Sequence, residues 1–286
     1  MGSQYEFDVA AGYSLAQLAT VVTEAFRGYP QPVYESAGRL SRLVRVHSLD
    51  LAHSLVIRAP NGELIGISFL GLRNTRAWIS AFGIVPAHRG RGLARRLLGR
   101  ILEQARAAGA LDVRLEVLTT NAAARHIYAK GGFTVARDLV CLERDPRHEP
   151  APPVPTLMVE QATVDEAVEN ARALEQTPPC WQREAASLVT GSGLALLALS
   201  GGRVVGFALY SRRDSAVALH HLAARSNLRE HVVDALLPRI GGAGPNAPSR
   251  HITLLNEPQP GGLVSAYLAR GFKETIRQLE LFRGVP

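Results

Sequence analysis

The most informative segment of the chain reads Ile84-Val-Pro-Ala-His-Arg-Gly-Arg-Gly-Leu-Ala94. An apolar stretch precedes it and an amphipathic stretch follows, which predicts a strand, a tight connection and a helix. Gly90 and Gly92 let backbone N–H groups turn toward one point, and the helix start adds unpaired donors and the positive end of its dipole. Arg89 and Arg91 add positive charge. The segment therefore predicts a site for a phosphate or pyrophosphate.

This segment matches neither of two common nucleotide-binding patterns. No Gly-Lys-Ser/Thr follows, as a Walker A loop requires, and the third glycine of Gly-x-Gly-x-x-Gly is missing. On the glycines and arginines alone, an ordinary helix start with solvated arginines fits as well as an anion site. The flanking sequence is needed to decide between them.

The first half of the chain alternates helical and strand patterns around this segment. The predicted helices cover 14–26, 35–47, 93–105 and 121–130, and the predicted strands cover 54–58, 63–72, 78–85 and 112–118, with two closing strands from residue 133 onward. Asn61-Gly62 is a strong hairpin turn between the first two strands. The pattern predicts an α/β unit.

The second half repeats this order. A helix is predicted near 164–175, a hairpin over 194–199 and 203–210, a strand at 217–223, a helix at 229–240 and a strand at 252–255. Tyr267-Leu-Ala-Arg-Gly-Phe272 then matches the spacing of Tyr128-Ala-Lys-Gly-Gly-Phe133. These matches indicate an internal duplication of one α/β unit.

The clearest boundary is the segment from Asp145 to Pro155. Five prolines in eleven residues exclude a helix or a central strand and predict a stiff linker. The sequence therefore predicts a first domain over 1–145, a linker over 146–155 and a second domain over 156–286. A length of 286 residues agrees with two domains of about 150 residues each.

Composition excludes several classes of protein. Hydrophobic residues are 47% of the chain and charged residues 20%, which excludes global disorder. Two cysteines exclude a disulfide framework and a cysteine-rich zinc site, and they favour a reducing, cytoplasmic location. The sequence contains no apolar run of about 20 residues and its beginning does not resemble a signal peptide, so no membrane partner is expected.

The net positive charge is concentrated in the first half of the chain. Residues 1–150 contain 19 basic and 13 acidic residues, net +6, whereas the remainder is net +1. An excess of positive charge favours an anionic partner. Basic runs interleaved with aromatic residues are missing, so a nucleotide is favoured over a nucleic acid.

Two motifs together resemble a known family. Arg89-x-x-Gly92-x-Ala94 is similar to the Arg/Gln-x-x-Gly-x-Gly/Ala signature of the GNAT acetyltransferase superfamily. Residues 115–133, with Asn121, Tyr128 and a Gly-Phe pair at set spacing, resemble its second hallmark. The resemblance covers residues 1–145. The second half resembles a degenerate GNAT unit, because residues 225–231 lack glycine.

The resemblance implies an acetyltransferase that moves an acetyl group from acetyl-CoA to a primary amine by direct attack. It also implies a mixed, mostly antiparallel sheet flanked by helices in each unit. The residues it assigns to acetyl-CoA are Phe82, Gly83, Ile84, Arg89, Gly90, Arg91, Gly92, Leu93, Ala94, Arg95 and Asn121. Of these, the backbone near Ile84 would also face the thioester carbonyl, and the loop over 89–95 would hold the pyrophosphate.

The resemblance further assigns Tyr128 as the acid that protonates the departing thiolate and Glu116 as the candidate base. A tyrosine pKa of about 10 against a thiol pKa of about 8.5 is compatible with that transfer. Alternatives remain open for each residue. Tyr128 is also explained by packing, Asn121 by helix capping, and Glu116 as an ordinary strand residue, with deprotonation relayed by water.

Other features predict no further chemistry. His220 and His221 are adjacent in a strand and point to opposite faces, so no metal site is expected. Cys141 is expected to be a buried apolar residue rather than a nucleophile.

The alternative to an enzyme is a non-catalytic acyl-CoA-binding regulator. A homodimer is compatible with either function, and the acceptor amine is not identified.

Overall fold

The computed structural model describes residues 5–30, 33–145, 157–174, 177–191, 193–241 and 250–285. The fold is mixed α/β and divides into two compact units. The first unit comprises residues 1–136 together with 280–286, and the second comprises residues 137–279. The predicted linker, 146–155, lies outside the described residues, so that boundary stays a prediction.

The first unit is built on a mostly antiparallel sheet. Its elements are β1 (Glu6–Val9), α1 (Leu15–Ala25), α2 (Ala37–Val46), β2 (Leu55–Arg58), β3 (Leu64–Arg73), β4 (Arg76–Ile84), α3 (Leu93–Ala107), β5 (Asp112–Leu118) and α4 (Ala122–Lys130). The strands lie in the order β1-β2-β3-β4-β5, and each pair is antiparallel except β4 with β5. Helix α1 packs on β3 and α2, and α3 packs on β3 and β4. This confirms the fold class that the resemblance implied.

The second unit repeats that arrangement. From residue 137 it contains most of β6 (Thr134–Arg144), then β7 (Met158–Ala162), α5 (Val164–Glu169), α6 (Ala171–Leu174), α7 (Ala185–Thr190), β8 (Leu194–Ser200), β9 (Arg203–Arg212), β10 (Ala216–Ala224), α8 (Arg229–Gly241), β11 (His251–Gln259), α9 (Val264–Leu268) and part of β12 (Lys273–Gly284). The strand order is β6-β11-β10-β9-β8-β7. Only β10 and β11 are parallel among these pairs, as β4 and β5 are in the first unit. The helix predicted near 164–175 divides at Asn170 into α5 and α6.

The segment after Phe133 differs from the prediction. It forms one strand, β6, where two closing strands were predicted, so that prediction is wrong. Pairing explains the result, because β6 pairs with β11 from Asp138 to Arg144, across a register shift between Leu254 and Glu257. The place beside β5 is taken instead by the end of β12, where Val285 donates a backbone hydrogen bond to Leu111.

Local sequence explains where the helices around the site begin. Ser14 and Gln17 form a reciprocal capping box at the start of α1. The Asn121 side chain caps α4, since its Oδ1 accepts a hydrogen bond from the Ala124 N–H over 3.1 Å. Gly92 stands at the same position of α3, where no side chain caps the first turn. The start of α3 therefore keeps its backbone donors available.

Each unit has its own apolar core. In the first unit, Ile67 of β3 and Leu97 and Ile101 of α3 are fully buried. In the second, Phe207 of β9 and Leu236 of α8 are fully buried. Burying one such side chain stabilises a fold by roughly 1.5–3 kcal/mol, so these contacts fix α3 and α8 on their sheets.

Candidate active site

The predicted anion site lies between β4 and α3. After one turn of 3₁₀ helix at Pro86–His88, Gly90 and Gly92 adopt left-handed backbone conformations with φ of 76° and 74°. A Cβ atom on either glycine would meet no protein atom within 4 Å. Glycine is therefore needed here for the turn of the backbone, and the space beside the loop stays open to a ligand.

The two arginines of this loop have different roles. Arg89 donates from Nε to Ile84 O over 2.9 Å and from Nη2 to Ala25 O over 2.8 Å, which ties the end of β4 to the end of α1. Arg91 is exposed and donates to the Tyr5 hydroxyl over 2.9 Å. Arg89 therefore fixes the shape of the loop as well as adding positive charge. The Arg91 side chain lies at the surface of the loop.

Strands β4 and β5 separate next to this loop. Their parallel pairing ends where Trp78 lies opposite Arg114, although β4 continues to Ile84 and β5 to Leu118. A bulge interrupts β4 against β3, and within it Ala81 has a φ of 48°, which is rare for a residue other than glycine. The two strands thus leave a gap between their carboxyl ends.

The backbone of Ile84 faces this gap. Gly66 lies opposite Ile84, and Val85, not Ile84, donates a hydrogen bond back to β3, at Ile65 O over 2.8 Å. In an antiparallel ladder this pattern directs the N–H of Ile84 away from β3 and toward the β5 side. An N–H in this position can donate to an extended ligand or to a developing oxyanion.

Tyr128 lies in α4 next to the same strands. Its ring makes edge-to-face contacts with Phe82 at 5.6 Å and with Phe133 at 5.9 Å between centroids, and the residue is 5% exposed. Burial, and then the nearby Tyr29 and Glu116, raise the pKa of Tyr128 well above its usual value. The phenol therefore stays protonated at neutral pH and keeps a proton to donate.

Asn121 has two partners. Beside its capping bond, its side chain hydrogen-bonds the phenol of Tyr29. Tyr29 follows α1, packs edge-to-face on Phe26 at 5.2 Å, and has a pKa that burial raises. The capping role of Asn121 is confirmed, and the same residue also joins the segment after α1 to the start of α4.

Glu116 is half buried on β5. Its Oε2 accepts a hydrogen bond from the Trp78 indole N–H over 2.8 Å. The sequence predicted Trp78 only as an apolar strand residue. The indole itself was a usable signal, because a buried tryptophan N–H usually has a hydrogen-bond acceptor.

The second unit differs at the corresponding places. A 3₁₀ turn at Ser226–Leu228 leads directly into α8, and Arg229 has a right-handed conformation. In the gap beyond the β10–β11 pairing, Arg183 and Glu257 form an ion pair with each side chain 3% exposed. Tyr267 is fully buried, and its hydroxyl has no hydrogen-bond partner among the described residues.

Metal-ligand clusters and membrane-spanning helices were both sought among the residues that the structure describes. Over those residues, no three histidine, cysteine, aspartate or glutamate side chains converge where an ion could bind. None of the helices they form is both long enough and apolar enough to span a bilayer. His220 and His221 have separate partners, Ser211 and Arg183.

Comparison with known proteins assigns the first unit. Residues 18–133 match the family model described as acetyltransferase (GNAT) family. The first unit is a GNAT acetyltransferase domain. A curated relative, streptothricin acetyltransferase of Streptomyces lavendulae, is 33% identical over 84 residues, which are 29% of this chain. The chain spans 44% of the length of that relative.

Solved structures resemble the whole chain. A GCN5-related N-acetyltransferase from Sphaerobacter thermophilus superposes with a TM-score of 0.76 at 17% identity, covering 99% of this chain and 96% of the other. A tandem GNAT protein from the clavulanic acid biosynthesis pathway gives 0.72 at 16% identity, covering 99% of each chain. At these identities the likeness shows the fold alone.

Proposed function

We propose that the first unit transfers an acetyl group from acetyl-CoA to a primary amine by direct attack in a ternary complex. The observation that carries this proposal is the junction of the open glycine loop with the gap between β4 and β5. Within that junction the N–H of Ile84, the Tyr128 phenol and the Glu116 carboxylate belong to one unit. The second unit keeps the fold but not this loop.

The residues fit acetyl-CoA by their chemistry. The uncapped start of α3 and the left-handed Gly90 and Gly92 provide N–H groups for a pyrophosphate, with Arg91 and Arg95 exposed beside them. The edge of β4 over Phe82–Ile84 provides backbone groups for the extended arm of the molecule. Acetyl-CoA would supply the activated acetyl thioester.

Two residues of the first unit would then transfer protons. The Glu116 carboxylate would accept a proton from the ammonium group of the acceptor, which frees the nitrogen lone pair for attack. Tyr128 would hold its proton until negative charge develops on sulfur. The burial that raises the pKa of Tyr128 would also raise that of a thiolate formed beside it, so the transfer stays feasible.

A turnover screen tests this proposal. Release of free thiol from acetyl-CoA would be followed with polyamines, aminoglycosides, amino acids and peptide N-termini, and acetylated products would be identified by mass. We expect turnover with at least one class and, by calorimetry, one acetyl-CoA per chain. Binding without transfer to any acceptor would favour a regulatory acyl-CoA-binding protein, and two molecules per chain would contradict the loss of the second site.

A further inference from the structure

We propose that Trp78 is a positioning residue for Glu116, which holds the carboxylate ionised and oriented where β4 and β5 separate. This inference rests on the proposed role of Glu116 as the base. In this role Trp78 would act through the Glu116 carboxylate and not directly on the reacting atoms.

The contact itself is specific. An indole has a single N–H donor, and that of Trp78 is directed to Glu116 Oε2 over 2.8 Å. Trp78 is 4% exposed, so water has little access to the donor. A hydrogen bond to a carboxylate is about twice as strong as one between neutral groups, and it favours the ionised form.

The register of the strands explains why residue 78 can make this contact. Trp78 lies opposite Arg114 in the last pair of the parallel β4–β5 ladder. Residues 114 and 116 project from the same face of β5, so Glu116 is the next side chain on that face beyond the ladder. The indole therefore spans from the last paired residue to the first side chain at the gap.

A ring contact with His47 keeps the indole of Trp78 in place. The His47 ring, at the end of α2, meets the Trp78 ring edge-to-face with 5.6 Å between centroids. Burial, and then the charges of Arg73 and Arg42, lower the pKa of His47 to about 4. His47 is therefore neutral at neutral pH and does not offer Glu116 a competing positive charge.

Loss of the indole N–H should raise the pH at which Glu116 ionises and leave its carboxylate less well oriented for accepting a proton. A hydrogen bond to a charged group contributes enough that its loss corresponds to about a tenfold change in an equilibrium or a rate. In Trp78→Phe we expect kcat at pH 7 to fall about tenfold, with the acid limb of the kcat–pH profile displaced to higher pH and the affinity for acetyl-CoA unchanged.

The experiment compares four variants of the full chain with the wild type. Trp78→Phe removes the donor and keeps a ring, and 3-benzothienylalanine at position 78 keeps the bicyclic shape but replaces N–H with sulfur. Glu116→Gln removes the titrating group, and Trp181→Phe, at the only other tryptophan of the chain, is the matched control. The titration midpoint of the Glu116 carboxyl is followed by carbon-13 NMR, and the kcat–pH profile by thiol release.

The two readouts separate this inference from the proposed function. A higher midpoint in both position-78 variants, with a displaced kcat limb and no change in Trp181→Phe, supports the role of Trp78. An unchanged midpoint overturns it, even in a preparation without turnover. A higher midpoint with an unchanged kcat limb also overturns it, and in that case full activity of Glu116→Gln shows that the proposed base is wrong.

Discussion

The two units of this chain follow the same path up to one turn of helix and then differ. At the end of β4, Val85 donates a hydrogen bond to Ile65 O over 2.8 Å, and at the end of β10, Arg225 donates to Val205 O over 2.8 Å. Each unit then forms one turn of 3₁₀ helix. The first inserts four residues with two left-handed glycines before its helix, whereas the second enters α8 at once.

The gap between the parallel strands also differs between the two units. In the first unit the gap is bordered by backbone edges and by polar groups that can face a ligand. In the second, the Arg183–Glu257 ion pair lies in the corresponding region, and His221 accepts a hydrogen bond from Arg183 over 3.2 Å. Between its parallel strands, one unit thus has a gap bordered by backbone edges and the other has a buried ion pair, and only the first also has the four-residue glycine loop.

The largest expected effect comes from placing a negative charge in the loop. In Gly92→Glu we expect acetyl-CoA binding to weaken at least about a hundredfold, because juxtaposed like charges cost several kcal/mol and 1.4 kcal/mol is tenfold. Calorimetry measures the change. Gly62→Glu is the matched control, since Gly62 also has a left-handed φ, 85°, and open space at Cβ, but lies in the β2–β3 turn. If both variants bound acetyl-CoA with equal affinity, the cosubstrate would bind outside the loop that contains Gly92.

The next effect separates catalysis from packing at Tyr128. Tyr128→Phe keeps the ring contacts with Phe82 and Phe133 and removes the hydroxyl. Because loss of a general acid typically costs 10²–10⁴ in rate, we expect kcat to fall by roughly that factor with unchanged affinity for acetyl-CoA. Steady-state kinetics measure it, with Tyr267→Phe as the control from the second unit. Equal activity of the two variants would make Tyr128 a packing residue.

A third effect is the acid sensitivity of the first unit. The pKa of His47 is lowered to about 4, so between about pH 6.5 and 4 the unfolded chain binds a proton that the folded chain does not. The contribution of His47 to the stability of this unit should therefore be fully present above about pH 6.5 and fall by up to about 3 kcal/mol toward pH 4. Hydrogen exchange of β4 amides measures this. In His47→Gln the decline should be smaller, and a decline of equal size would contradict this origin.

The smallest effect concerns Tyr267. Its hydroxyl is fully buried and has no hydrogen-bond partner among the described residues, and burial raises its pKa. Removing an unsatisfied buried polar group relieves a desolvation cost, so Tyr267→Phe should leave stability unchanged or raise it by up to about 1 kcal/mol. Urea unfolding measures the difference. A clear loss of stability would show that the hydroxyl does make a stabilising contact.

Sequence predicted the parts of this fold that depend on local pattern. The hairpin at Asn61-Gly62, the strand at 112–118 and the loop before α3 follow from turn residues, periodicity and glycine, and the structure has them. The single strand after Phe133 could not be predicted, because its partner β11 lies more than 100 residues away. Contacts such as Trp78 with Glu116 were hidden for the same reason, since they depend on the register between strands.

The return of the last residues to the first unit has a consequence for synthesis on the ribosome. Residues 280–286 belong to that unit, where Arg283 donates to Gly131 O over 2.6 Å and Val285 to Leu111 O over 2.9 Å. The proposed catalytic unit is therefore incomplete until residues 280–286 have been translated, although its first 136 residues emerge earlier. Until those residues pair with it, the edge of β5 is uncovered. We therefore expect a fusion tag after residue 286 to destabilise the first unit more than an insertion between residues 146 and 155.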